Sequence, residues 1–146
     1  MTGPSIARPR RAVLVVDDDD RVRAVVRAVL EADDFHVAEA ADGPSALELL
    51  EADESRAKDA TGGAGDGTTR PNVLVLDVMM PGMDGIEVCR QIDHRTTKVL
   101  MLTAREDLAT REASAAAGAD AFLAKPFSAV ELLDAIEALS ADGPSA

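Results

Sequence analysis

The sequence predicts an α/β fold in which a parallel sheet is covered by helices on both faces. Two apolar runs, Ala12–Val16 and Val73–Leu76, proceed without polar alternation and each ends in acid, Asp17–Asp20 and Asp77. Such runs, bounded by turn residues, are strands buried on both faces. Between them lie segments of helical period, clearest in Val22, Val25, Val26, Val29 and Leu30, spaced i, i+3, i+4, i+7, i+8. The βα unit recurs five times along the chain. Strands alternating with helices pair in parallel through right-handed crossovers.

In order, residues 1–11 carry three arginines and two prolines and read as a disordered basic arm. The first strand, Ala12–Val16, leads to the first helix, which Asp19 or Asp20 can cap while matching the helix dipole. A short strand over Phe35–Ala40 follows. Gly43-Pro44 then opens a second helix, with Pro at its first position and Leu47, Leu49 and Leu50 inside. That helix fades from about Glu54 into a flexible insertion near 55–70, rich in glycine at Thr61–Thr69, which reads as a spacer. The strand to Asp77 comes next, then a turn over Pro81–Gly85 and a helix from about Ile86 to Asp93. Lys98–Thr103 is a buried strand. The helix from about Glu106 to Ala117 stops at Gly118. Asp120–Ala124 is a short strand followed by Lys125-Pro126. Ser128 and Glu131 form a capping box for the last helix, and 140–146 reads as a tail or linker stub.

Composition narrows the function classes. The 146 residues suit one domain, spanning 12–139, and the core must be aliphatic because aromatics are 2% with no Trp or Tyr. A formal charge of −12 argues against nucleic acid or an anionic membrane as a direct partner and favours cations or a basic protein surface. Cys89 is the sole cysteine and reads as a core residue, so no intrachain disulfide forms. No apolar run nears the ~18 residues of a membrane span, and 1–11 lacks a signal-peptide core. The expected location is cytoplasmic. His36 and His94 stand singly and read as surface residues.

In a parallel sheet all carboxyl ends share one edge, where open α/β folds bind ligands. Delivered there are Asp17 and Asp18, Asp77, Thr103 and Lys125. Two charges ~4 Å apart repel by ~4 kcal/mol at an effective dielectric near 20. An acidic cluster therefore calls for a hard divalent cation, and oxygen ligands with room for water favour Mg²⁺. A lysine and a hydroxyl beside it suit an arriving phosphoryl group, with a carboxylate as nucleophile. Singly, each residue has an ordinary reading: a solvated helix start, a strand-end turn residue, a strand threonine, a turn. At four strand ends together they make a phosphoryl-transfer site.

Four segments carry a resemblance: Val-Leu-Val-Val-Asp-Asp-Asp at 13–19, Leu-Asp-Val-Met-Met-Pro-Gly-Met-Asp-Gly at 76–85, Leu-Thr-Ala at 102–104, and Gly-Ala-Asp-Ala-Phe-Leu-Ala-Lys-Pro-Phe at 118–127. In this order, over about Arg11–Leu139, they resemble the receiver domain of two-component response regulators, the CheY-like superfamily. The resemblance implies a flavodoxin-like (βα)5 three-layer sandwich with strand order 2-1-3-4-5. It implies that Asp77 accepts a phosphoryl group from a sensor histidine kinase or histidine phosphotransfer protein. Asp18, Asp77 and the backbone carbonyl of Met79 would ligate Mg²⁺, with Asp17 holding a metal-bound water. Thr103 and Lys125 would contact phosphoryl oxygens, and the Lys125–Pro126 bond would be cis.

It further implies a switch of Thr103 and the aromatic at 122, here Phe122 without a hydroxyl, acting on the face made by helix four, strand five and helix five. Met79 and Arg105 occupy positions that tune dephosphorylation, and neither supplies an amide or acid to orient water, so a long-lived phosphoryl group is expected. The partners implied are the kinase and a downstream protein target, with the chain a monomer or a phosphorylation-dependent dimer. Arg111 and Glu131 match one charge pair of the family's dimer face, and the second is missing. The chain is not expected to be an enzyme beyond catalysing its own phosphorylation and dephosphorylation. No effector is expected after helix five, and the leading expectation is a receiver acting on a protein target. The alternative is the receiver half of a DNA-binding transcriptional regulator. A Mg²⁺-dependent phosphohydrolase is disfavoured because Met79 stands where a second acid is needed.

Overall fold

A computed structural model describes residues 11–59, 71–104 and 108–141. Residues 1–10 of the basic arm, the glycine-rich stretch 61–69, residues 142–146 of the tail and Arg105 lie outside the described residues, while Ser140 and Ala141, read as tail, belong to the last helix. The elements alternate as β1 (Ala12–Val16), α1 (Asp20–Ala32), β2 (His36–Ala40), α2 (Gly43–Asp59), β3 (Val73–Asp77), α3 (Gly85–Gln91), β4 (Lys98–Ala104), α4 (Leu108–Ala117), β5 (Ala121–Lys125) and α5 (Ala129–Ala141). All pairings are parallel and the strand order is β2-β1-β3-β4-β5. This is the flavodoxin-like order expected from the resemblance.

The apolar runs are central because they bury both faces. Every residue of β1 and β3 is buried, whereas the edge strands β2 and β5 are only partly covered. Alternate residues feed two separate cores. Val13, Val15, Val73, Val75, Leu100 and Leu102 pack under α1 and α5 with Val26, Leu30, Leu132 and Ile136. Leu14, Val16, Leu74, Leu76, Val99 and Met101 pack on the other face with Ala46, Val88 and Cys89. Each buried Val or Leu contributes roughly 1.5–3 kcal/mol over exposure, and a one-residue slip of β1 or β3 would draw Asp17 or Asp77 into the apolar sheet, which an uncompensated charge opposes. The sheet edge carrying the acids is thereby fixed.

Local capping matches the sequence in two helices. Asp19 caps α1 by accepting from the Arg21 N–H at 2.9 Å. Ser128 and Glu131 exchange hydrogen bonds of 2.9 and 3.1 Å, completing the capping box of α5. Asp42 accepts from the Ser45 N–H at 2.8 Å, which puts Pro44 second rather than first in α2. The same helix runs to Asp59, past the point where its apolar pattern fades.

Two further expectations need correction. Gly85 belongs to α3, not the preceding turn, with Asp84 as N-cap accepting from Glu87 N–H at 3.0 Å, and α3 ends at Gln91 rather than Asp93. His94 is half-buried: its Nε2 donates to the Cys89 carbonyl at 2.7 Å, so the ring satisfies an orphan acceptor at the end of α3. Gly118, at φ +113°, lies against that ring, and a Cβ there would sit 2.5 Å from His94 Cε1. His36 is exposed and Cys89 is fully buried, as expected.

Candidate functional site

Asp77 is the last residue of β3 and only 4% exposed. The hydrophobic drive that buries Val73–Leu76 carries its carboxyl into a cleft of about 400 Å³ at the carboxyl edge of the sheet. That cleft is lined by Asp17, Asp18, Asp19, Asp77, Met79, Thr103 and Lys125. Six of the sequence-derived positions thus converge: Asp17, Asp18, Asp77, Met79, Thr103 and Lys125. Phe122 does not line the cleft. Its ring lies in the core that faces α2 and α3, 5.1 Å beneath the Arg111 guanidinium.

Lys125 bridges the buried acids, its Nζ standing 3.1 Å from Asp17 Oδ2 and 3.3 Å from Asp77 Oδ1. Asp17 Oδ1 accepts from the Asp19 N–H at 2.9 Å, and Asp77 Oδ1 from the Met79 N–H at 3.3 Å. Thr103 is buried one residue before the end of β4, beside Ala124. The Lys125–Pro126 peptide is cis.

The electrostatics follow from burial. Loss of hydration raises the Asp77 carboxyl to about 6, the Asp17 charge adds to the rise, and Lys125 with the Met79 N–H opposes it. Burial pulls the Lys125 ammonium down, but the Asp77 and Asp17 carboxylates outweigh it and raise the group overall. Asp77 therefore remains largely ionised at neutral pH and is available as a nucleophile.

The donor set fits a hard cation. One carboxylate oxygen each from Asp17, Asp18 and Asp77 lies within 4.8 Å of the other two, and Asp18 is exposed, leaving the mouth open to water. Oxygen donors with room for water match Mg²⁺.

Sequence reasoning missed Gly85 as part of the site. A Cβ there would lie 2.4 Å from the Asp77 carbonyl oxygen and 3.0 Å from Val78 Cα, while the Gly85 N–H donates to the Val78 carbonyl at 3.0 Å. The α3 start is thus pressed against the end of β3, a contact only glycine permits. Gly85→Ala is expected to cost on the order of 2–3 kcal/mol through overpacking against backbone. A denaturant midpoint equal to wild type would contradict that contact.

The model of the response regulator receiver domain matches residues 13–137. The chain belongs to this family. It is 44% identical over 131 residues to the response regulator MprA of Mycobacterium ulcerans, covering 87% of this chain and 49% of that protein. It thus spans about half the length of the curated relatives it matches. Among solved structures, a response regulator receiver protein from Burkholderia phymatum is 34% identical with a TM-score of 0.73, over 89% of this chain and 94% of that one. The chemotaxis protein CheY4 of Vibrio cholerae is 28% identical with a TM-score of 0.74, over 89% and 98%. Receiver membership puts the acid-lined edge of the sheet in the setting of two-component signalling. Among the described residues, no helix is long and apolar enough to cross a membrane.

Proposed function

We propose that Asp77 accepts a phosphoryl group from a phosphohistidine of a sensor kinase or phosphotransfer protein, and that this switches the chain's hold on a downstream protein in the cytoplasm. A carboxylate oxygen of Asp77 attacks phosphorus, the bond from phosphorus to the imidazole nitrogen breaks, and an acyl phosphate forms as the histidine leaves neutral after taking up a proton. The observation that carries this reading is the buried Asp77 carboxylate, held by Lys125 at 3.3 Å in a cleft it shares with Asp17 and Asp18.

Asp17, Asp18, Asp77 and the Met79 carbonyl would hold Mg²⁺, which when bound supplies positive charge to the phosphoryl oxygens. Lys125 moves its ion pair from the Asp77 carboxylate, consumed by phosphorylation, to the new phosphoryl group. Thr103 offers its hydroxyl to the same oxygens, and Phe122 reports the change to the face made by α4, β5 and α5. The Arg111 guanidinium over Phe122 belongs to that face. Beside the cleft, Val22, Val25, Pro126 and Phe127 line an apolar groove with Arg21 and Lys125, which suits a protein carrying the donor histidine.

The test is oligomeric state and tryptic pattern with and without beryllofluoride and Mg²⁺. A change in wild type that is absent from Asp77→Asn supports the switch; no change in wild type, or an equal change in both, overturns it. The coverage of 49% of MprA favours a second reading, in which the receiver governs an output segment of a longer regulator.

Met79 is 69% exposed at the cleft and supplies no amide or acid to direct water at the acyl phosphate. A phosphoryl group outlasting many seconds after donor removal is expected. Met79→Gln should shorten its life about tenfold, the worth of one ordinary hydrogen bond in the transition state. Decay of the wild type within seconds would contradict this.

A further inference from the structure

Arg23 is the third helical residue past Asp20, and its side chain is 14% exposed. Its guanidinium reaches three acceptors on three pieces of chain. Nη1 donates to the Asp17 main-chain carbonyl at 2.7 Å, Nε to Glu39 Oε1 on β2 at 3.1 Å, and Nη2 to the Asp20 carboxylate. Glu39 in turn also accepts from Arg27, which is further held by Glu31, so the carboxylate that aims Arg23 is itself anchored. The other side of the same residue is fixed too, since the Asp17 N–H donates to the Ala40 carbonyl at 3.2 Å.

The Asp17 carbonyl and the Asp18 N–H share one rigid peptide plane. Holding that carbonyl therefore sets where Asp18 leaves the chain. Asp18 is exposed, while the Asp17 side chain is already held by Lys125 and the Asp19 N–H. We propose that Arg23 is a positioning residue for the cation site, its guanidinium, oriented by Glu39, clamping the Asp17–Asp18 peptide so that both acids face the cleft. The proposal rests on the reading of these acids as the Mg²⁺ site.

Charge and geometry make opposite demands here, which lets them be separated. If Arg23 acted only as a positive charge near the acids, its loss would tighten cation binding. If it clamps the peptide, its loss loosens binding. Arg23→Lys keeps the charge but has no planar fork to span three acceptors. Arg27 touches Glu39 without touching Asp17, so Arg27→Lys is the matched control.

The experiment is calorimetric titration of Mg²⁺ into the unphosphorylated full chain at fixed ionic strength, with thermal melts by circular dichroism alongside. Arg23→Lys and Arg23→Ala are expected to raise the Mg²⁺ Kd roughly tenfold, the usual scale for losing an outer-shell support. Arg27→Lys, which keeps a cation beside Glu39 and does not reach Asp17, should shift the Kd far less than Arg23→Lys. With a small phosphodonor, half-saturating Mg²⁺ should rise in Arg23→Lys while the plateau rate at saturating Mg²⁺ holds. Glu39→Gln should weaken Mg²⁺ in the same direction but less, and it serves if an Arg23 variant fails to fold. Wild-type affinity in Arg23→Lys, equal weakening in Arg27→Lys, or tighter binding in Arg23→Ala would each overturn the clamp while leaving the site intact. Absence of Mg²⁺ uptake by the wild type would overturn the site and the clamp together.

Discussion

Asp77→Asn is expected to abolish phosphoryl uptake and, in the same protein, to stabilise the metal-free fold at pH 7. The first effect follows because an amide cannot serve as the attacking carboxylate. The second follows from burial, which raises the Asp77 carboxyl from 3.8 to about 6, helped by the Asp17 charge and opposed by Lys125. Between those two values the folded chain binds more protons at this group than the unfolded chain does. Its contribution to stability therefore falls as pH rises through that window, and stays low above it. A shift of this size corresponds to on the order of 3 kcal/mol at neutral pH. The neutral amide escapes that cost. In denaturant titrations without divalent cation, the variant should exceed wild type at pH 7 and the gap should narrow towards pH 4. Adding Mg²⁺ should stabilise wild type preferentially, by mass action on the folded state. A variant less stable than wild type at pH 7 without metal would contradict this electrostatic account.

Lys125→Met is expected to produce the largest loss of stability in the site. The ammonium stands between Asp17, whose side chain is wholly buried, and Asp77, whose side chain is 6% exposed. Removing it leaves two buried carboxylates facing each other without their counter-charge, a change that costs roughly 3–5 kcal/mol. The loss should be greatest without metal and partly recovered by Mg²⁺, which replaces the missing charge. Cation affinity should rise in Lys125→Met, opposite to the fall expected for Arg23→Lys, because Lys125 competes with the cation for Asp17 and Asp77 while Arg23 holds the Asp17–Asp18 peptide. Melting midpoints with and without Mg²⁺ check this. A metal-free midpoint equal to wild type would contradict the bridging role.

The central sheet and the converging acids were legible in sequence for one physical reason. Val13–Val16, Val73–Leu76 and Val99–Leu102 have no polar alternation, so they can only be strands covered on both faces, and whatever follows them is set at one edge. Asp17, Asp77 and Thr103 are placed by that rule, and Lys125 by the strand it ends. Arg23 was not legible in this way. Its role depends on Glu39, a side chain on a neighbouring strand and 16 residues away, which no spacing within α1 reveals. Gly85 was read as a turn residue because Pro81–Gly85 has turn composition; the demand for glycine arises only once α3 is docked on β3. His94 looked solitary because its hydrogen-bond partner is a main-chain carbonyl, that of Cys89, and the glycine packed on its ring, Gly118, lies far along the chain. Asp84 followed three residues on by Glu87 was the available local sign that α3 begins at Gly85.

The most direct measurement is to phosphorylate the chain with a small-molecule phosphodonor and Mg²⁺, reduce the product with borohydride, and map the reduced residue by peptide mass spectrometry. Only Asp77 should be converted, to homoserine, and omitting Mg²⁺ should suppress the conversion. Reduction at Asp17 or Asp18, or a stable phosphoryl group on another side chain with Asp77 intact, would contradict Asp77 as the acceptor.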